Sequence, residues 1–231
     1  VGDMNGDGRP DVVMGSRLTN ANLGLAWSKN LGAAGYGPVM PIGGNNRISA
    51  LLLSDVDGDS DLDIVAADGA GTVYRIANLG GDAFGPMQTI YQSTGTAPLN
   101  IALADLDGDD DQDLVYAGGA PAPGGYFLND GSGDFGGVIP FPTAVTGTFQ
   151  VSTGDLDGDA DLDVLISAGS SLRWYENAGD GTFPDVHLIY SNSNYAHESS
   201  VVADLDGDGD MDVATGTYSG IQAFKRLLCF V

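Results

Sequence analysis

Five nine-residue segments with aspartate at alternating positions recur along the chain, and they constrain what it can fold into more than any other feature. Their positions 1, 3, 5, 7 and 9 are Asp3, Asn5, Asp7, Arg9 and Asp11 in the first, and Asp55, Asp57, Asp59, Asp61 and Asp63 in the second. The third has Asp105, Asp107, Asp109, Asp111 and Asp113, the fourth Asp155, Asp157, Asp159, Asp161 and Asp163, and the fifth Asp204, Asp206, Asp208, Asp210 and Asp212. Their starts lie 52, 50, 50 and 49 residues apart. A near-constant period in this range marks one supersecondary unit used repeatedly. The chain is therefore read as one domain, 1–231, of repeats at about 1–47, 48–98, 99–147, 148–197 and 198–231.

Short carboxylates on alternating residues of a tight loop can converge on one point, and a bound cation makes that convergence tolerable. The ligands expected at positions 1, 3, 5 and 9 are side-chain oxygens, with Asn5 supplying an amide carbonyl. Position 7 varies in chemistry (Arg9, Asp61, Asp111, Asp161, Asp210) and is assigned a backbone carbonyl. An all-oxygen, carboxylate-rich set without His or Cys selects a hard ion, Ca²⁺ ahead of Mg²⁺ or Mn²⁺, with about five ions, one per repeat. Position 4 is Gly in every copy (Gly6, Gly58, Gly108, Gly158, Gly207), as a sharp reversal at positive φ requires. The loop is not an EF-hand, which needs Gly at position 6 and Glu at position 12. Position 12 here is Met14, Ala66, Tyr116, Ile166 and Thr215. A single Asp-Gly is an ordinary polar turn, but five in register are not.

Charge points the same way. The loops hold 24 of the 32 acidic residues, against eight Lys and Arg, in a chain of net charge −24. Self-repulsion of that size opposes compaction, and five divalent ions would reduce it to about −14 where it is most concentrated. The excess acid is read as ion ligation, not as a DNA mimic or a disordered tail, and no nucleic-acid partner is expected.

Short apolar runs flank each loop: Ile48 to Leu53, Asn100 to Ala104, Phe149 to Thr153 and Ser199 to Ala203 before it, and Asp11 to Met14, Asp63 to Ala66, Asp113 to Tyr116, Asp163 to Ile166 and Asp212 to Thr215 after it. Runs of this size bounded by Gly and Asp read as strands. A third, aromatic-bearing strand follows at Leu25 to Trp27, Val73 to Tyr74, Tyr126 to Leu128, Leu172 to Tyr175 and Ile221 to Phe224. Four of these enter a turn in which Asn30, Asn78, Asn129 or Asn177 is followed six residues later by Tyr36, Phe84, Phe135 or Phe183. A fourth strand is expected at Pro38 to Ile42, Met87 to Tyr91, Val138 to Phe141 and Val186 to Tyr190. Four antiparallel strands per repeat of about fifty residues is the blade of a β-propeller. The fold class is all-β, a propeller of about five such blades, each with its Asp-rich loop between the first two strands.

These loops, the strand pairs around them and turns such as Trp174 to Phe183 resemble the FG-GAP or VCBS repeats of integrin α-subunit propellers and of secreted bacterial and fungal proteins. The resemblance spans the chain to about Arg226 and implies that each loop binds Ca²⁺ between the first two strands of a blade. Propellers of that family usually have seven blades, whereas five repeats are present here. A closed five-blade ring needs twenty strands. Eighteen are counted, and Leu227 to Val231 is expected to supply a nineteenth as a closing or exchanged strand. Failing that, exposed edges would template pairing, giving a homo-oligomer or filament by edge-strand exchange.

No apolar run approaches a membrane span. Cys229 is the single cysteine, so no intrachain disulfide can form. His187 and His197 are read as ordinary strand or surface residues. Trp27 and Trp174, with Arg75 and Tyr126 at the equivalent positions, are weighed as sugar-stacking residues against packing between blades, the latter preferred. There is no triad, paired Glu or cofactor loop, so no catalytic residues are assigned and the protein is read as non-enzymatic. The expected function is a secreted, calcium-stabilised interaction, adhesion or self-assembly module with a protein or glycan ligand. A lectin binding glycans between blades and an accessory propeller of a larger extracellular enzyme are the alternatives. Calcium sites of extracellular type bind at roughly 10⁻⁴ to 10⁻³ M and would stand empty in cytosol, which places the protein outside the cell or at its surface.

Overall fold

Strands of two to seven residues separated by Gly and Asp cannot bury their backbone polar groups alone and must pair with their chain neighbours. A computed structural model describes residues 1–16, 24–44, 47–93, 100–118, 124–143, 148–191, 197–217 and 220–224. They form five antiparallel sheets, each a meander in sequence order. The first comprises β1 (Val12–Gly15), β2 (Leu25–Ser28) and β3 (Met40–Gly43). The second comprises β4 (Ile48–Ser54), β5 (Asp63–Asp68), β6 (Thr72–Ile76) and β7 (Gln88–Gln92). The third comprises β8 (Asn100–Ala104), β9 (Asp113–Ala117), β10 (Gly125–Phe127) and β11 (Ile139–Pro140). The fourth comprises β12 (Thr148–Gly154), β13 (Asp163–Ala168), β14 (Ser171–Glu176) and β15 (Asp185–Ser191). The fifth comprises β16 (His197–Ala203), β17 (Asp212–Thr217) and β18 (Gly220–Phe224). The one helical element among the described residues is a 3₁₀ turn, Gly32–Ala34, inside the first Asn-to-aromatic turn.

The eighteen strands are the eighteen read from the sequence, displaced by a residue or two at their ends. The shortest is β11, where the run from Val138 to Phe141 reduces to two paired residues. Each Asp-rich loop connects the pre-loop and post-loop strands of its sheet. In the first sheet the pre-loop strand is reduced to a Gly2–Asp11 bridge. The closing strand expected at 227–231 lies outside the described residues.

Successive sheets pack face to face, through their innermost strands in β4 on β8, β8 on β12 and β12 on β16, and through the post-loop strand of the first sheet in β1 on β4. Each joint holds its own apolar cluster. Trp27 meets Phe84 edge-on at 5.5 Å in the first. Val65, Leu114 and Phe127 fill the second, Tyr126, Phe141, Tyr175 and Phe183 the third, and Leu165, Trp174 and Val213 the fourth. No comparable packing joins the fifth sheet to the first, so a closed ring is not formed by these residues. The physical reason lies in the first sheet, which lacks the innermost strand that makes the other joints.

Loop position 2 records the same asymmetry. Met4, Val56, Leu106 and Leu156 are buried beneath the following sheet, whereas Leu205 of the fifth loop is 51% exposed. Val201 and Ile221 of the fifth sheet are exposed with it.

A polar clamp accompanies each of the first three joints. Asn78 Nδ2 donates to Met4 O at 2.9 Å, Asn129 Nδ2 to Val56 O at 2.9 Å and Asn177 Nδ2 to Leu106 O at 2.7 Å. The turn Asn of each sheet thus satisfies a buried carbonyl in the loop of the sheet before it. Asn30, in the first sheet, donates to Pro10 O of its own loop at 3.1 Å. Removing the amide leaves a buried carbonyl without a donor, which costs more than the bond itself is worth. Asn129→Ala is expected to destabilise by about 2–4 kcal/mol and Asn30→Ala by less than about 1.5 kcal/mol. Urea denaturation measures both, and equal effects would contradict the clamp.

Candidate metal centre

The geometry of each loop follows from its first aspartate. Both carboxylate oxygens of position 1 accept backbone N–H groups, one from position 4 and one from position 6. In the second loop Asp55 Oδ1 accepts from Gly58 N and Oδ2 from Ser60 N, both at 2.8 Å. Asp3, Asp105, Asp155 and Asp204 repeat the pattern on Gly6 and Gly8, Gly108 and Asp110, Gly158 and Ala160, and Gly207 and Gly209. To present both N–H groups to one carboxylate the backbone takes positive φ at positions 4 and 6 alike. The sequence reading found position 4 only. Position 6 is Gly in two copies (Gly8, Gly209), which was the available signal, but Ser60, Asp110 and Ala160 adopt the same conformation at φ 74°, 71° and 81°. A conformation that costs a non-glycine residue roughly 1 kcal/mol is held in place by that bond.

Position 9 is fully buried and ties loop to turn. Asp113 Oδ2 accepts Leu106 N and its Oδ1 accepts Asn129 N, both at 2.8 Å. Asp11, Asp63 and Asp163 make the equivalent pair with Met4 and Asn30, Val56 and Asn78, and Leu156 and Asn177. Asp212 accepts from Leu205 N.

Positions 1, 3 and 9 converge. Oxygen atoms of Asp55, Asp57 and Asp63, of Asp105, Asp107 and Asp113, of Asp155, Asp157 and Asp163, and of Asp204, Asp206 and Asp212 lie within 4.8 Å of one another in each set. In the first loop the corresponding residues are Asp3, Asn5 and Asp11. Position 5 is engaged differently: Asp59, Asp109, Asp159 and Asp208 each accept the N–H of position 7 at 2.9–3.0 Å, as Asp7 does from Arg9 N. The side chains of Asp61, Asp111 and Asp161 turn toward glycines of their own Asn turn, Gly80, Gly131 and Gly179, where a Cβ would crowd or strike the carboxylate.

Converging carboxylates raise one another's proton affinity and lose water. Burial first, and neighbouring aspartates after it, push Asp57 and Asp107 upward. Burial pushes Asp63 and Asp113 up to about 6 and Asp163 to about 7, against the N–H bonds that favour the ionised form. Asp57 Oδ1 and Asp107 Oδ1 are buried without a hydrogen-bond donor. Orphaned carboxylate oxygens beside two more carboxylates form a donor set that fits a hard divalent cation.

Other candidates resolve more simply. Trp27, Trp174, Tyr126 and Arg75 are all buried between sheets, so none offers a face for a sugar to stack on. His187 lies on β15, stacks on Trp174 with ring centroids 4.4 Å apart and bonds to Glu176 at 2.7 Å. No helix of the described residues is long and apolar enough to cross a membrane.

Comparison with known proteins gives three kinds of result. A family model described as FG-GAP-like repeat matches residues 3–66, 55–116 and 157–215. Among curated proteins nothing matches. Among solved structures, a lectin from Agrocybe aegerita, described by its specific recognition of non-reducing terminal N-acetylglucosamine, superposes with a TM-score of 0.68 at 26% identity, over 92% of this chain and 58% of that one. A lectin from Burkholderia pseudomallei gives 0.67 at 17% identity, over 95% and 64%. The biofilm matrix protein of V. cholerae gives 0.54 at 16%, over 87% and 30%. The chain spans less than two thirds of the length of each, and the last two likenesses are likenesses of fold.

The raised position-9 aspartates carry a pH signature. Without metal their folded values lie above that of a free carboxyl, so their contribution to stability is full below about pH 4 and lost as pH rises through 6 to 7. A divalent cation reverses the preference, since it binds the ionised form. In chelator the urea midpoint is expected to fall between pH 5 and pH 8, and the gain on adding calcium to be larger at pH 8. A midpoint that stays flat in chelator across that range contradicts the assignment.

Proposed function

We propose, from the premise that the chain belongs to the FG-GAP-like repeat family, that it is a calcium-stabilised, non-enzymatic binding module whose five sheets are blades of a β-propeller. The observation that carries this reading is the gathering of three carboxylates at one point in each of four loops, held by backbone N–H groups and not by basic side chains in three of them. Calcium would be held by side-chain oxygens of positions 1, 3, 5 and 9 and the carbonyl of position 7, with Asn5 in the first loop. It would neutralise charge at the hinge between the first two strands of each sheet. A cation enclosed by protein oxygens leaves little room for an activated water, so the role is structural. Levels of calcium that fill such sites are found outside the cell, and that is where the protein is placed.

A ligand bound only by the folded state adds on the order of 2.7 kcal/mol per site at a hundred times its dissociation constant. Several filled sites therefore decide whether the fold persists. Differential scanning calorimetry is expected to show a rise of at least about 10 °C in Tm between EGTA and millimolar calcium. An unchanged Tm removes the structural role.

For the ligand, glycan is favoured by the likeness to the Agrocybe lectin, at 26% identity over 92% of this chain. The buried Trp27 and Trp174 exclude stacking at those positions, so a glycan site would lie at the clefts between neighbouring sheets. A glycan array probed with the calcium-loaded protein is expected to return hits that EGTA abolishes. An array without hits at high protein concentration leaves protein–protein adhesion as the function.

A further inference from the structure

The second sheet departs from its neighbours at one buried position. Three residues before the turn Asn, where the first, third and fourth sheets carry Trp27, Tyr126 and Trp174, the second carries Arg75. Its side chain is only 10% exposed. Nε donates to Gln88 Oε1 at 2.8 Å, Nη1 donates to Ser132 O of the third sheet at 3.2 Å, and Nη2 stands 3.7 Å from Asp57 Oδ2. The turn of the third sheet leaves room for it at Gly133, where a Cβ would fall on Nη1. Asp57 is position 3 of the second loop and one of the three carboxylates that converge there, and its other oxygen, Oδ1, is the buried one without a donor. A buried positive charge is thus built into the wall of the second loop, whereas Arg9 of the first loop, 3.6 Å from Asp7 Oδ2, is 54% exposed.

We infer that Arg75 is an affinity-determining residue that makes the second loop the weakest cation site among the all-aspartate loops, while stabilising that loop when no cation is bound. This rests on the reading of the loops as cation sites. A divalent ion held by Asp55, Asp57 and Asp63 would share Asp57 with the guanidinium. Two cations sharing one carboxylate repel, and the repulsion is weakly screened because the guanidinium is shut away from solvent. The third and fourth sheets carry Tyr126 and Trp174 at the equivalent position, and among the described residues no ion pair reaches Asp107 or Asp157. With the ion removed the balance inverts. The guanidinium then offsets part of the repulsion among the three carboxylates, which the third and fourth loops bear in full. Arg cannot relieve the conflict by losing its proton.

The test uses the full chain, calcium alone as the probe, and two measurements that the inference drives in opposite directions. Isothermal titration of the wild-type protein is expected to resolve a site weaker than the tightest by roughly tenfold to a hundredfold. Arg75→Gln keeps a donor for Ser132 O but drops the charge. It should strengthen that site to the level of the others, and lower Tm in EGTA more than in calcium. Arg75→Tyr, which places in the second sheet the residue type of the third, should do the same if the Gln variant folds poorly, and Arg75→Lys should keep the weak site. A Tm lowered equally in both buffers with an unchanged isotherm shows a packing role only and overturns the inference. Wild-type sites of equal affinity overturn it as well. Absence of calcium binding at every loop would instead overturn the reading of the loops themselves.

Discussion

The structure turns on five buried carboxylates at the ninth loop position. Asp63, Asp113 and Asp163 sit between the N–H of their own loop and the N–H of their turn Asn, so each closes the loop and anchors the third strand at once. An ionised carboxylate without water is costly unless it is bonded and its charge is offset. Two N–H bonds meet the first need. The second is met only by a cation at the converging oxygens or by a proton, and the raised values of these three groups express that choice. Folding and the proposed cation binding would therefore be one problem, met at the same atoms.

The joints between sheets extend this logic from one repeat to the next. The apolar residue at position 2 goes under the following sheet, and the carbonyl of the same residue is taken by that sheet's Asn. Packing and hydrogen bonding thus converge on one residue, so any distortion of a loop would disturb the neighbour as well as its own sheet. Side-chain variation is tolerated where the backbone makes the bond: position 8 is Pro10, Leu62, Gln112, Leu162 and Met211, and in the first four repeats its carbonyl accepts the Nδ2 of the sheet's own turn Asn.

Much of this was legible because the repeat signals itself five times. The strands were visible as short β-rich runs, and the converging residues as aspartates at fixed offsets. What escaped had no composition signature. Ser60, Asp110 and Ala160 look like ordinary turn residues, yet all sit at positive φ because Asp55, Asp105 and Asp155 demand their N–H groups. Packing between blades was the preferred reading of Trp27 and Trp174, and both are buried, but sugar stacking stayed open because their cover comes from the neighbouring sheet, which no local pattern encodes. The same holds for Arg75, whose partners lie at Asp57, Gln88 and Ser132. The strand count already fell short of a closed ring, and the closing or exchanged strand expected at 227–231 lies outside the described residues.

The clamp always points backward along the chain, from the turn of one sheet to the loop before it. The array therefore has a polarity, like a row of hooks and eyes. In the first sheet the hook, Asn30, makes the bond to its own loop that Asn78, Asn129 and Asn177 also make, and in the fifth the eye, Leu205, is uncovered. Because the three clamped links share one pattern, exchanging whole repeats among them by a crossover between copies keeps hook and eye matched, whereas a cut within a repeat separates hook from eye. The number of sheets is thus the property this design can change most easily in evolution.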